Sequence, residues 1–127
     1  MTAGIFIDPN RLAHSQQYCR QLTRTAARNF YYGLRLLPEP KRSAMFVLYA
    51  YMRLVDDIAD RDDERSTQQR IDELESWRAR THAAMEGKWV ESAEADIWPA
   101  FAEMSARYKL PVKLFDDVIA GQQRDLT

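Results

Sequence analysis

The chain has 127 residues, with 18 Lys or Arg, 19 Asp or Glu and a formal net charge of −1, enough to bury one core of somewhat under ~70% of its unfolded surface. Near-neutral charge with interspersed signs argues against the basic stripe of a nucleic-acid surface, so no nucleic-acid partner is expected. Four Gly and five Pro, set among stretches of helical spacing rich in Ala, Arg, Glu, Leu and Gln, predict an all-α fold with 1–127 as a single helical domain.

Cys19 has no second cysteine to pair with, and the N-terminus, MTAGIFIDPN, carries no basic-then-apolar leader, so a cytoplasmic location is expected. The longest uncharged stretch, Ser43 to Met52, is ten residues, about half of the ~20 an α-helix needs to cross a bilayer. Peripheral contact with a membrane stays open.

Asp8-Pro9 reads as an N-cap with proline at the first helical position, opening a helix to about Ala27 with Leu12, Cys19 and Leu22 inward. Neither His14 nor His82 shows a partner pattern, so Cys19 is expected to be a buried structural thiol rather than a nucleophile. Arg28 to Pro38 concentrates aromatics beside basic and amide groups. It suits either an aromatic-packed helix corner or a site holding an apolar chain at one end and an anion at the other. Pro38 and Pro40 punctuate the chain before a central helix predicted from about Glu39 to Asp62, which leaves through the solvated charge run Arg61-Asp62-Asp63-Glu64-Arg65.

Ser66 and Gln69 form a capping-box pattern for a helix to about Glu86, with Ile71, Leu74 and Trp77 at apolar spacing and Gly87 as its stop. Lys88 to Ala95 reads as a connector. Asp96 is expected to cap a helix with Pro99 in its first turn, running to Tyr108, and Pro111 to open a last helix toward Gln123. Asp116-Asp117 on that helix has Gly121 where a further acid would be needed, so it is read as a solvated face.

The central helix carries the chemistry. At about 100° per residue, Tyr49, Arg53, Asp56 and Asp60 fall within an arc of about 60°, opposite an apolar face of Val47, Leu48, Tyr51, Leu54, Val55, Ile58 and Ala59. Carboxylates at i and i+4 sit about 6 Å apart at Cβ, close enough to share a hard divalent cation and ill suited to zinc without His or Cys. Mg²⁺ keeps several waters and favours a few carboxylates plus phosphate oxygens, which suits a diphosphate ligand. Two unit charges 4 Å apart near a protein surface repel by roughly 4 kcal/mol, so aspartates alone would reject a diphosphate; a metal reverses the sign, and Arg53 adds a donor fork. The spacing also fits an exposed acidic stripe in which Arg53 makes ordinary ion pairs of ~0.2–0.5 kcal/mol.

The block Asn29-Phe30-Tyr31-Tyr32-Gly33-Leu34-Arg35-Leu36-Leu37-Pro38, followed by Tyr49 and by Arg53-Leu54-Val55-Asp56-Asp57-Ile58-Ala59-Asp60, resembles the N-terminal half of squalene/phytoene synthases. A second block, Arg107 to Pro111 through Leu114-Phe115, Ile119 to Gly121, Asp125 and Leu126, keeps that family's order, so the resemblance runs from about Ala26 to Leu126. The resemblance implies an isoprenoid-synthase-type helical bundle, represented by about its first half. It also implies head-to-head joining of two farnesyl or geranylgeranyl diphosphates through a cyclopropylcarbinyl diphosphate to squalene-, dehydrosqualene- or phytoene-type products.

Asp56, Asp60 and Arg53 would then be the catalytic set, with Asp56 and Asp60 holding Mg²⁺ and Asp57 as a supporting acid. Arg53 and Tyr49 would hold one diphosphate, Arg28 and Asn29 would contact the other, and Phe30 and Leu34 would border the apolar channel. NADPH would enter only where the product is reduced to squalene. Leu34 stands where many members have an aromatic. The family's second aspartate-rich helix is absent, so a truncated or split, inactive chain is expected, covered by self-association or by a partner chain. A head-to-tail prenyltransferase or terpene cyclase is the nearest alternative, although Arg61-Asp62-Asp63-Glu64 replaces the Arg-Arg-Gly element usual in elongases. A non-catalytic helical interaction module is the third reading.

Overall fold

The computed structural model describes residues 7–60, 63–89 and 96–127. Among them there is no strand, and six helices follow one another: α1 (Pro9–Ala26), α2 (Arg28–Leu34), α3 (Lys41–Ala59), α4 (Thr67–Met85), α5 (Trp98–Arg107) and α6 (Val112–Leu126). Residues 1–6, Arg61, Asp62 and the stretch 90–95 of the expected connector lie outside the described residues.

Local signals set most helix ends. The Asp8 carboxylate accepts from the Asn10 N–H at 3.1 Å, with Pro9 in the first turn, and satisfies one of the donors a helix start leaves open. The Ser66–Gln69 capping box is complete, its two bonds 2.7 and 3.1 Å long. Gly87, at φ 80°, ends the run after α4, a left-handed conformation that costs glycine little.

The main core is built on α3. Val47, Ala50, Tyr51, Val55 and Ala59 are buried, with Leu48, Leu54 and Ile58 packed partly against them. Tyr51 is the centre: its ring lies 4.8 Å from Phe101, 5.0 Å from Phe115 and 5.6 Å from Trp77. Its hydroxyl meets Thr81 Oγ1 at 2.8 Å, and that hydroxyl donates to the Trp77 carbonyl at 2.9 Å. Thr81 has spent its proton there, so Tyr51 is the donor. Burial, only partly offset by these hydrogen bonds, pushes the phenol up to about 12, which keeps it protonated. A smaller cluster of Tyr31, Leu34 and Phe46 packs the α2 corner. Cys19 is fully buried, and burial raises its thiol far above the ordinary range, as a structural cysteine requires.

Three expectations change. Asp96 does not cap α5, whose N-cap residue Ile97 makes no side-chain cap bond. Ser15 of α1 does the capping instead: its hydroxyl accepts from the Ala100 N–H at 3.0 Å and donates to the Asp96 carbonyl at 2.7 Å. Asp96 turns to α1, pairing with Arg11 at 2.7 Å and with His14. Asp116 is not a solvated acid; it joins α6 to α4 through His82 at 2.6 Å and Arg78 at 2.9 Å. Both histidines therefore have carboxylate partners, supplied from 82 and 34 residues away, beyond any local pattern.

Two measurements check this account. Thr81→Val leaves the Tyr51 hydroxyl without an acceptor in a dry core and costs about 1–3 kcal/mol in urea unfolding, whereas Tyr51→Phe removes the donor with its bond and costs about 0.5–1.5 kcal/mol; equal losses contradict the assigned direction. Asp116 is held below the usual carboxylate range by hydrogen bonds from His82 and Arg78. At Asp96, burial pushes upward but is outweighed by Arg11 and His14. Depressed folded-state values mean that this stabilisation is complete above the unfolded value of about 3.9 and lost as pH falls through the folded ones. Melting temperature should therefore drop on acidification below about pH 4, and less steeply in Asp116→Asn.

Candidate functional site

The core fixes the direction of the α3 polar face. With Tyr51 inward, Arg53 and Asp56 lie about 200° and 140° further round the helix and point out. There Arg53, Asp56, Asp57, Ala59, Asp60 and Gln122 line a shallow basin of about 460 Å³.

Its polar groups are unevenly engaged. Arg53 Nε donates to Asp57 Oδ1 at 3.1 Å, and the Asp57 charge, with a hydrogen bond to Tyr49, holds the guanidinium above its ordinary pKa. Asp57 is thus taken up by the i,i+4 pair that an ordinary helix surface would make, worth about 0.3–0.5 kcal/mol at such exposure. Asp56 instead accepts from Gln122 Nε2 of α6 at 2.8 Å. A neutral amide orients that carboxylate and leaves its charge in place.

Asp60 departs from the sequence reading. α3 ends at Ala59, short of Asp62, and Asp60 is extended at φ −62°, ψ 135°, so it does not extend the helical stripe. Two arginines take up the carbonyls at and just beyond the helix end. Arg70, 4% exposed, donates to the carbonyls of Asp60 at 2.7 Å, of Asp63 at 3.1 Å and of Arg65, and to the Asp63 carboxylate at 2.9 Å. Arg65 reaches the carbonyls of Asp57 at 3.2 Å and Asp60 at 3.4 Å, and pairs with Glu73 at 2.5 Å. The charge run is an ordered turn at its described end, and it keeps Asp60 at the rim of the basin although the helix has stopped.

The α2 residues divide. Phe30 packs on Tyr49, ring centroids 5.4 Å apart, one turn before Arg53 on α3, and does not line the basin. Arg28 is about 200° round α2 from Phe30 and faces elsewhere; it and Asn29 are exposed and do not line the basin. Leu34 is buried against Tyr31 and Phe46. An apolar groove of about 290 Å³ does exist, lined by Leu37, Met45, Leu48, Met104, Tyr108 and Leu110 among others, with neither Phe30 nor Leu34 in it. Met45 and Asp56 lie within about 20° of each other round α3 and about 16 Å apart along it, while Leu48 of the groove is about 80° round from Asp56, so groove and basin occupy neighbouring faces of the helix.

Among the described residues no group of three or more His, Cys, Asp or Glu side chains is placed to hold a metal. The basin offers oxygen donors alone, the chemistry of a hard cation, and two carboxylates, Asp56 and Asp60, would leave most of an octahedral shell to water or phosphate oxygens. That fits Mg²⁺ arriving with an anionic ligand. Gln122, Arg65 and Arg70 were not singled out in the sequence, which offers no sign that an amide 66 residues away meets Asp56.

Residues 23–127 match the family model described as squalene/phytoene synthase. Phytoene synthase of Mycobacterium tuberculosis is 35% identical over 83% of this chain and 32% of its own length. 15-cis-phytoene synthase of Synechococcus elongatus is 33% identical over 91% of the chain and 35% of its own length. Presqualene diphosphate synthase of Rhodopseudomonas palustris is 36% identical over 77% and 33%. The chain spans about a third of the length of these curated relatives rather than the expected half. No solved structure gives a significant match.

Arg70→Met removes the side-chain donor to the carbonyls of Asp63 and Arg65 and leaves that of Asp60 with the longer bond from Arg65. It is expected to cost about 1–3 kcal/mol in urea unfolding and to speed amide exchange at Arg65; an unchanged exchange rate there would show that the turn holds without it.

Proposed function

The chain belongs to the squalene/phytoene synthase family, and from that premise we propose that it supplies one wall of a site for head-to-head joining of two prenyl diphosphates. The reaction runs through a cyclopropylcarbinyl diphosphate, and the products are of the phytoene or presqualene type named for its relatives. One observation carries the reading: an apolar groove and a basin whose metal donors are all oxygen lie on neighbouring faces of α3, with Met45 of the one and Asp56 of the other about 16 Å apart along it. An isoprenoid tail and a diphosphate head need that pairing.

In this reading Asp56 and Asp60 hold Mg²⁺, which supplies the positive charge that lets diphosphate approach two acids and leave with its electron pair. Arg53 turns its fork to phosphate oxygens, and its bond to Asp57 keeps it extended over the basin. Tyr49 supports Arg53 from the preceding turn and, with Phe30, presents aromatic faces to positive charge developing on the chain. Gln122 holds the Asp56 carboxylate in one rotamer. Arg28 and Asn29 meet the second diphosphate only after a rearrangement of the α2 corner. Farnesyl and geranylgeranyl chains are both accommodated by the proposal, and NADPH enters only where the product is reduced to squalene.

The condensation itself is assigned to an assembly with a second metal-holding wall, from self-association or from a further segment or chain. Titration calorimetry with Mg²⁺ and a non-hydrolysable farnesyl thiodiphosphate should show binding that needs the metal and is lost in Asp56→Asn, and the isolated chain should give no product with farnesyl or geranylgeranyl diphosphate. Metal-independent binding, or none, would leave a helical interaction module as the better description.

A further inference from the structure

The near-zero net charge hides a segregation. Between Pro9 and Lys41 the sequence holds Arg11, Arg20, Arg24, Arg28, Arg35 and Lys41 against a single acid, Glu39. Arg11 is tied to Asp96, and Glu39 is taken up by Arg42 and Ser43. Arg20, Arg24, Arg28 and Arg35 are exposed and meet no carboxylate among the described residues.

Three of them gather on tyrosines. Arg20 Nε donates to the Tyr31 hydroxyl at 3.2 Å, Arg24 lies 5.8 Å over the Tyr31 ring and Arg35 lies 5.9 Å over the Tyr32 ring. Tyr31 and Tyr32 touch edge to face at 5.4 Å, so the contacts are continuous. On α2, Arg28, Tyr32 and Arg35 share an arc of about 60°, flanking the side that buries Tyr31 and Leu34. Just past the helix end stands Leu36, 87% exposed, beside Tyr32 at 43%.

We propose that this face of α1 and α2 docks on an anionic lipid bilayer, with Leu36 and Tyr32 entering the boundary between headgroups and acyl chains and the arginines meeting lipid phosphates. Charge complementarity carries the choice of partner. Guanidiniums clustered without counter-charge repel one another until an anionic surface covers them, and a bilayer covers them all at once. Leu36 separates lipid from other anions, because an aliphatic side chain gains nothing from a soluble phosphate but gains transfer free energy at an acyl boundary. A nucleic acid would stack bases on the aromatic faces, and Arg35 already covers Tyr32. The attachment is peripheral, since no described helix is long and apolar enough to cross a membrane. The surface stands apart from the Arg53–Asp56 basin, and of its residues only Arg28 also enters the proposed diphosphate site; Arg24, Arg35 and Leu36 have no part in it.

Co-sedimentation of the full chain with vesicles of phosphatidylcholine containing phosphatidylglycerol, against pure phosphatidylcholine, tests it. Binding to the anionic vesicles alone is expected, weakening with salt and falling about fivefold for each of Arg24→Gln and Arg35→Gln. Leu36→Asp should abolish it with helix content unchanged by circular dichroism, and Leu36→Trp should shift its emission to the blue on these vesicles but not with inorganic diphosphate. Absence of vesicle binding, equal binding to both vesicle types, or full retention by Leu36→Asp overturns the proposal. Saturable binding of inorganic diphosphate or polyuridylate that needs Arg24 and Arg35, without vesicle binding, also overturns it and assigns the arginines to a soluble anion.

Discussion

Tyr51 is where four helices agree on one arrangement. Its ring meets Trp77 of α4, Trp98 and Phe101 of α5 and Phe115 of α6, and its hydroxyl donates a hydrogen bond to Thr81 in the buried core. Apolar packing alone tolerates rotation of a helix, but a buried donor with a single acceptor does not. The rotation of α3 is fixed by that bond, and with it the outward direction of Arg53 and Asp56. The basin is the reverse side of the core, so a change at Thr81 or Trp77 reaches the acids without touching them.

The two Asp-Asp pairs show how neighbours decide the chemistry of identical residues. Asp116 faces α4, which offers Arg78 and His82, so its charge is neutralised in a structural tie. Asp56 faces α6, which offers Gln122. A cation would have neutralised the carboxylate; an amide orients it and brings no charge of its own. The difference lies in the packed partner, 66 residues away in one pair and 34 in the other, and neither dipeptide announces it.

What could be read from the sequence was what is local. The Asp8–Pro9 start, the Ser66–Gln69 box, the Gly87 stop and the apolar face of α3 each depend on residues within a turn or two, and each forms as its spacing implies. The grouping of Arg53 with Asp56 followed from helical period. The misreadings share one cause, the distant side chain. α3 stops at Ala59, where Arg65 reaches the Asp57 carbonyl and Arg70 that of Asp60 just beyond the helix; Asp96 gives up its capping role because Ser15 arrives from α1. Leu34, expected to border an apolar channel, is buried in the Phe46 cluster. Each outcome depends on which helix lies against which, and the periodicity of one segment does not contain that.

The Ser15 hydroxyl also bears on the order in which the molecule assembles. The helix start it completes lies 85 residues downstream, so during synthesis the cap exists long before the helix that uses it. In chain growth the residue that closes the first turn of α5 is therefore made before α5 itself. Any circular rearrangement that places α5 ahead of α1 reverses that order, and α5 then emerges with an open first turn until α1 follows and closes it.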